Sequence, residues 1–429
     1  MDIKVKGGQV LSGEINPSGS KNSAVALIPA TAMFEGEVVL DNIPDITDVG
    51  NVLDLMESMG SKVDWQKRKK RLVIDNSSLS PKKLKGERIK SMKGTSLLWG
   101  PLLARFKRVA FEDLPHGCTL GFRTLSPHYK AFKDLGVKVK ETRDHVSMDA
   151  RGAEAAEIWL IEMSPTATEN AVMLACSLKG KTKIVGAASE PQVQDLCNFL
   201  VKCGAKIEGI GSNVLVVHGG RELKSKPHKL LSDHYEIATF LALGAATKGE
   251  VRVNNALPGL LIPIVNTFAK FGVEVKFEGD TAVVEKNQKI RIVSEEERGT
   301  LFVKAQPWPA LPVDTLPLFI PLALAAKTGQ VVFHNWMYEA GLFWMTELQK
   351  LGANIIINDP HRATVIAGNK LKGAQMEAPY IIRAVVAMVM TAMIAEGETE
   401  ILNADALYRG HPDFSKNLKK LGADIQEVK

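Results

Sequence analysis

One motif recurs six times along the chain. A helix-like stretch closes on an apolar residue and a glycine, and a short run of strand formers follows. The glycines are Gly60, Gly136, Gly204, Gly272, Gly352 and Gly422, spaced 68 to 80 residues apart. Self-similarity at that period marks a repeated supersecondary unit, and six copies restrict the fold more than any property of composition. Glycine suits the place because it ends a helix in the left-handed conformation and lets a strand begin. Each unit also carries an earlier strand, entered through Gly36, Gly180, Gly249, Gly329 or Gly397 in five copies and reading Arg108-Val109-Ala110-Phe111 in the second. The predicted unit is helix, strand, helix, strand.

The first helix of each unit is small and apolar on every face, as in Ala24–Ala32 (AVALIPATA) and Ala238–Ala246 (ATFLALGAA). Such a helix belongs inside a domain rather than on its surface. Six of them, grouped by threes, predict two similar α/β domains with helices at the centre and sheets outside, and a ligand cleft between them. A chain of 429 residues is long enough for two such cores.

Composition removes several classes. Hydrophobic residues at 45% and charged residues at 24% are those of a globular protein. The apolar stretches Leu316–Ala326 and Ala384–Ala395 fall short of the roughly 20 residues a membrane span needs, and Pro317 and Pro321 break the first. Met1–Val10 mixes charges with β-formers and has no secretory core, so a cytoplasmic protein is expected. Cys118, Cys176, Cys197 and Cys203 show no metal-finger spacing, and neither disulfides nor a metal is predicted. A net charge of +6 includes the basic runs Lys67–Arg71 and Lys82–Lys93. Basic runs are most often hydrated surface, and the excess also suits small anionic substrates, so neither nucleic acid nor membrane is expected as a partner.

Four segments carry chemistry. Ser18-Gly19-Ser20-Lys21-Asn22-Ser23-Ala24 turns into the first buried helix, whose exposed N–H groups and lysine suit an anion. A capped helix with a solvated lysine is the bland alternative. Leu114–Arg123 (LPHGCTLGFR) places Cys118 in a loop rich in glycine, where a packing cysteine has no use. The other three cysteines sit in apolar helical runs and are read as core. Leu311-Pro312-Val313-Asp314 opens another buried helix, with Asp314 a general base, an N-cap, or both, since the two roles are compatible. Arg383 heads the sixth apolar helix and Arg409-Gly410 follows in its loop. An arginine in apolar surroundings needs an anionic partner, from a ligand or from an internal carboxylate.

These motifs and the sixfold repeat resemble the UDP-N-acetylglucosamine enolpyruvyl transferase family over essentially the whole chain. The matching family patterns are S-G-(S/A)-K-N-(A/S), P-G-G-C-(T/A)-I-G-x-R, (F/Y)-P-T-D, L-R-(A/S) and D-R-G-Y-E. The resemblance implies a two-domain inside-out α/β barrel of six helix-strand units. One domain would span 21–229 and carry the Cys118 loop; the other would combine 1–20 with 230–429.

The implied reaction transfers the enolpyruvyl group of phosphoenolpyruvate to a hydroxyl of UDP-N-acetylglucosamine, with release of phosphate and no cofactor, in peptidoglycan precursor synthesis. Cys118 would protonate C3 of phosphoenolpyruvate and Asp314 would take the acceptor's proton. The cysteine is also the residue that fosfomycin alkylates in the family. A thiol with an unperturbed pKa of about 8.5 is mostly protonated at neutral pH, and Arg123 would make it acidic enough to donate. Lys21, Asn22, Arg123, Arg383 and Arg409 would bind phosphoenolpyruvate. Lys93, Thr124, Leu125, Ser126, Asp233 and Met337 would face the acceptor.

The chain departs from the family on the acceptor side. Lys93 replaces an arginine, Thr124–Pro127 replaces P-(V/I)-D-(L/Q), Met163 replaces a lysine of some members, His234 replaces an arginine and Ile381 an aspartate. Tyr338-Glu339-Ala340-Gly341 replaces (F/Y)-E-(N/S)-R, removing one anion clamp. Three other readings stay open at this point. They are transfer to another acceptor such as UMP or shikimate 3-phosphate, an RNA 3′-phosphate cyclase-like protein, and a catalytically silent paralogue.

Overall fold

The computed structural model describes residues 1–83, 93–112, 124–142, 145–294 and 299–428. The described chain divides into two compact units, one of residues 1–18 and 232–428, the other of 19–112 and 124–231.

The six repeat glycines adopt the left-handed conformation, with φ between 68° and 111°. Each is followed by a strand, from Lys62–Gln66 in the first copy to Asp424–Val428 in the last. Six earlier strands also form: Glu37–Asp41, Arg108–Glu112, Gly180–Val185, Val251–Val253, Gln330–His334 and Glu398–Leu402. Two strands per unit, however, is an undercount. In the first five units a further strand lies between them and pairs antiparallel with both, as Val214–Gly219 does with Gly180–Val185 and Lys206–Glu208. In the sixth unit the chain's own N-terminus fills this position. Asp2–Lys6 pairs antiparallel with Glu398–Leu402 on one side and Asp424–Val428 on the other. Five sheets gain a fourth, parallel edge strand, and among the described residues the second has three strands.

Two of those edge strands are exchanged along the sequence. Gly13–Ile15, which precedes the first repeat, pairs with Val251–Val253 of the fourth. His228–Lys229, which precedes the fourth, pairs with Glu37–Asp41 of the first. Each compact unit thus receives a strand from its own stretch of chain, and the boundary falls where Ser18 meets Gly19 and Leu231 meets Ser232.

The apolar helices are internal, as their composition demands. All thirteen residues of His234–Ala246 are buried, as are Ala167 to Cys176 of Pro165–Ser177 and Arg383 to Met393 of Ile382–Ile394. Strand side chains alternate buried and accessible, for example in Arg108–Glu112, so each sheet turns one face to the helices. Each unit has its own contiguous apolar core. A fully buried Leu or Phe contributes roughly 2 kcal/mol, so these central helices hold each unit together. The second and fifth copies differ: the second begins as the 3-10 helix Lys93–Leu98 before the α-helix Trp99–Phe106, and Pro317 and Pro321 interrupt the fifth. Val313–Leu318 is a 3-10 helix, and only Phe319–Ala325 is α-helical.

The basic run Lys67–Arg71 is a tight turn between two strands. Lys70 is left-handed there, Lys67 pairs with Asp45 at 2.8 Å and Arg71 with Asp41 at 3.8 Å. Among the described residues, no helix is long and apolar enough to cross a membrane.

Candidate active site

In the unit of residues 19–231, the Ser18–Ala24 motif forms the start of helix Lys21–Ala30. Ser20 caps it, its hydroxyl accepting from the Ser23 N–H at 3.2 Å. Gly19 is required by close approach, since a Cβ there would sit 1.7 Å from the Asn42 carbonyl oxygen. Lys21 and Asn22 are consequently the first two helical residues, both partly accessible. Lys21 Nζ pairs with Asp48 Oδ2 at 2.8 Å, the two side chains 16% and 19% exposed. An arriving anion would share a lysine already held in place by a carboxylate on the next helix.

Thr124, Leu125 and Ser126 lead into helix Ser126–Asp134, with the Thr124 hydroxyl accepting from the Ser126 N–H at 3.1 Å. Two residues on, His128 is buried and joins this segment to its neighbours. Its Nδ1 accepts from the Asn170 amide nitrogen at 3.0 Å and its Nε2 meets the Thr166 hydroxyl at 3.2 Å. The same Asn170 amide nitrogen donates to Ser96 O at 2.9 Å, in the 3-10 helix Lys93–Leu98 that Lys93 opens. Two of the segments expected to face the acceptor are therefore tied through His128 and Asn170. Burial pushes the His128 imidazole down to about 4, so it is neutral at ordinary pH. Beside Asn170, Glu169 is also buried, and burial together with Glu190 holds its carboxyl well above the usual range.

In the other unit, Asp233 caps helix His234–Ala246, accepting from the Tyr235 and Glu236 N–H groups at 3.0 Å each. Burial opposes its charge, but the Arg383 guanidinium and the Glu236 N–H outweigh it and hold the carboxyl below its ordinary value. Arg383 is 7% exposed. Its Nη2 lies 4.0 Å from Asp233 Oδ1, its Nη1 lies 2.6 Å from His411 Nε2, and its guanidinium sits 4.6 Å above the Tyr235 ring. The internal carboxylate considered from sequence is thus present, though too distant for a hydrogen bond.

The His234 ring is tilted against Tyr235 with ring centres 3.9 Å apart and meets Trp308 edge to face at 6.2 Å. Its Nε2 is buried with no hydrogen-bond partner among the described residues. Burial lowers its pKa to about 4, opposed by Asp233 and Asp314 and reinforced by Arg383. Asp314 is partly accessible within the 3-10 helix Val313–Leu318 and is not its N-cap, which is Pro312. The capping alternative for Asp314 is therefore removed. Arg409 closes the 3-10 helix Ala404–Arg409 and lies 5.0 Å over the Tyr380 ring.

At the position of the absent clamp, a Cβ on Gly341 would lie 2.3 Å from the side-chain nitrogen of Asn335, which is buried. The amide of Asn335 occupies the place where a longer side chain would start. Met163 is 38% exposed, Ile381 precedes helix Ile382–Ile394 as its N-cap, and Met337 is partly buried. Cys118 and Arg123 lie outside the described residues, as does the Lys93 side chain. Among the described residues, no group of three or more His, Cys, Asp or Glu is placed to hold a metal.

The structure thus gathers Asp233, Arg383 and the field of Asp314 in one unit, while Lys21, Asn22 and Thr124–Ser126 belong to the other. His128, Asn170 and His411 were not singled out as site residues by sequence reasoning. The polar run Thr168-Glu169-Asn170 at the head of an apolar stretch was the available signal for Asn170, and for His411 it was the histidine standing where D-R-G-Y-E has tyrosine.

Six repeats of this topology, with cationic side chains heading internal helices, define an enzyme of the enolpyruvyl transferase class. The family model described as EPSP synthase (3-phosphoshikimate 1-carboxyvinyltransferase) matches residues 5–426. The UDP-N-acetylglucosamine 1-carboxyvinyltransferase of Bradyrhizobium diazoefficiens is 38% identical over 424 residues, covering 99% of this chain and 97% of that one. Its counterpart from Bacteroides thetaiotaomicron is 36% identical over 434 residues, covering 99% of each. Among solved structures, the enolpyruvyl transferase NikO from Streptomyces tendae superposes with a TM-score of 0.86 at 21% identity, over 99% of this chain and 98% of that one. EPSP synthase from Acinetobacter baumannii gives 0.73 at 16% identity, over 99% of this chain and all of that one. The chain belongs to the EPSP synthase family of carboxyvinyltransferases, and its fold is the inside-out α/β barrel of that family.

Proposed function

We propose that this protein transfers the enolpyruvyl group of phosphoenolpyruvate to a hydroxyl of UDP-N-acetylglucosamine, in the cytoplasm, as a step of peptidoglycan precursor synthesis. The observation that carries this reading is identity of 38% and 36%, over nearly the whole chain, to enzymes named for that acceptor. The geometry of Arg383 supports it. A guanidinium has five N–H donors, yet among the described residues this buried one makes a single hydrogen bond, to His411. Such a group gains from a bound carboxylate or phosphate.

In the proposed reaction Asp314 takes the proton of the acceptor hydroxyl while Cys118 protonates C3 of phosphoenolpyruvate. A C–O bond forms at C2. Loss of the C3 proton and departure of phosphate then regenerate the double bond. Lys21, Arg123 and Arg409 offset phosphate charge and Arg383 receives the carboxylate, with Asn22 beside Lys21 as a hydrogen-bonding group. Lys93, Thr124–Ser126, Asp233 and Met337 form the acceptor side, and the two domains are 21–229 and 1–20 with 230–429. A different nucleotide acceptor is the second reading, favoured by His234, which is neutral where the family has a permanent cation.

Phosphate release tests both readings. UDP-N-acetylglucosamine, UMP and shikimate 3-phosphate are supplied in parallel with phosphoenolpyruvate, to the intact protein and to Cys118→Ala. Release with UDP-N-acetylglucosamine alone, abolished in the variant, is the expected result. Release only with another acceptor overturns the substrate, and release undiminished in Cys118→Ala overturns the role of the thiol.

A further inference from the structure

His411 is fully buried, against Phe414 at a ring-centre distance of 5.3 Å. Its Nε2 lies 2.6 Å from Arg383 Nη1. An arginine guanidinium has hydrogens to give and no lone pair to offer, so it is the donor in this contact. The imidazole Nε2 must then carry the lone pair. That places the ring proton on Nδ1 and leaves the imidazole neutral, since a protonated ring would set two donors and two cations against each other. The other neighbours of Arg383 restrain it less directionally. Asp233 lies at 4.0 Å, beyond hydrogen-bond range, and the Tyr235 ring supports only the flat face of the guanidinium. Rotation of the planar fork within its own plane is therefore fixed by His411 alone among the described residues.

We propose that His411 is a positioning residue: a neutral, Nδ1-protonated imidazole that accepts from Arg383 and fixes the orientation in which its fork meets the anionic group of phosphoenolpyruvate. The inference rests on the reading that Arg383 binds that substrate. It explains why a histidine serves where the family pattern D-R-G-Y-E has tyrosine. A tyrosine hydroxyl would share its oxygen between donating and accepting, whereas this ring nitrogen can only accept. His411 adds no charge of its own, so the cation of Arg383 is answered only by Asp233 at 4.0 Å and by the ligand.

The test uses full-length His411→Phe, His411→Gln and Arg383→Ala, with KM measured for phosphoenolpyruvate and for the acceptor separately. His411→Phe should raise KM for phosphoenolpyruvate by about tenfold or more, the usual effect of losing a hydrogen bond to a charged group, while KM for the acceptor changes much less. His411→Gln, whose amide oxygen is again a neutral acceptor, should restore KM to within about threefold. A role in packing alone would move both KM values together and would not favour Gln over Phe. Nitrogen-15 NMR of the native protein reads the tautomer independently of activity and of variant folding. Protonation at Nε2 overturns the inference, as does a phosphoenolpyruvate KM that is unchanged in both His411 variants while Arg383→Ala raises it. If Arg383→Ala leaves that KM unchanged, the reading beneath it fails instead.

Discussion

Acid should loosen this protein through His128, and the size of the effect follows from its surroundings. The ring is buried, accepts from Asn170 at 3.0 Å, meets Thr166 at 3.2 Å and turns an edge of the Trp99 indole toward itself at 5.5 Å. Asn170 can only donate through its amide nitrogen, so a proton on Nδ1 would break that bond and leave a buried cation. Burial accordingly lowers the folded pKa to about 4, against 6.5 for an ordinary imidazole. The unfolded chain therefore binds the proton first as pH falls. The stabilising contribution is complete above about pH 6.5 and is progressively lost down to about pH 4. Linkage puts the loss at about 2 kcal/mol at pH 5, and little at pH 7.

His128→Gln provides the control, because its amide can both accept from Asn170 and donate to Thr166 without titrating. The assay is hydrogen exchange in helix Pro165–Ser177 in rising urea at pH 7 and pH 5, which reads this unit alone. The variant should lose about 2 kcal/mol less than the native protein between the two pH values, whatever its offset at pH 7. Equal losses in the two proteins would refute the reasoning, because they would mean that His128 does not titrate on unfolding.

Three further outcomes follow from buried groups. Glu169 has a folded pKa raised by burial and by Glu190, so its contribution is lost as pH rises above the ordinary carboxyl range. Glu169→Gln should be more stable than the native protein at neutral and alkaline pH, and a chemical melt showing the native chain gaining stability with pH relative to the variant would contradict this. Gly341→Arg should destabilise by about 1–3 kcal/mol through the 2.3 Å encounter with Asn335, and adding Asn335→Ala should recover most of it in a thermal melt. Burial pushes the Cys176 thiol up to about 12 and raises Cys197 further, so iodoacetamide at neutral pH should spare both. Mass spectrometry should place any rapid label on Cys118; comparable labelling of Cys176 or Cys197 in the native protein would sink the assignment.

Periodicity alone made the repeat legible, because a left-handed glycine and an all-apolar helix leave marks in any sequence. Gly60 through Gly422 and the six earlier strands are where those marks place them. The cap at Ser20, the start of helix Lys21–Ala30 and the placement of Arg383 at the head of Ile382–Ile394 were equally local, set by residues adjacent in the chain.

Partners distant in the chain were not legible from periodicity, and the family resemblance groups 1–20 with 230–429 without saying which strand pairs with which. The insertion of Asp2–Lys6 into the sixth sheet joins residues some 400 positions apart, and the exchange of Gly13–Ile15 with His228–Lys229 depends on how each set of three repeats closes. The same holds for side chains. Sequence named Lys21, Arg383 and Asp233, but only folding set Asp48 on the first and His411 on the second. An imidazole becomes an obligate acceptor when a guanidinium is packed against it, and a histidine becomes uncharged when the surrounding core excludes water. Neither condition exists until the helices have packed, which is why the family and the cations were determined by the sequence and their electrostatic state by the tertiary structure.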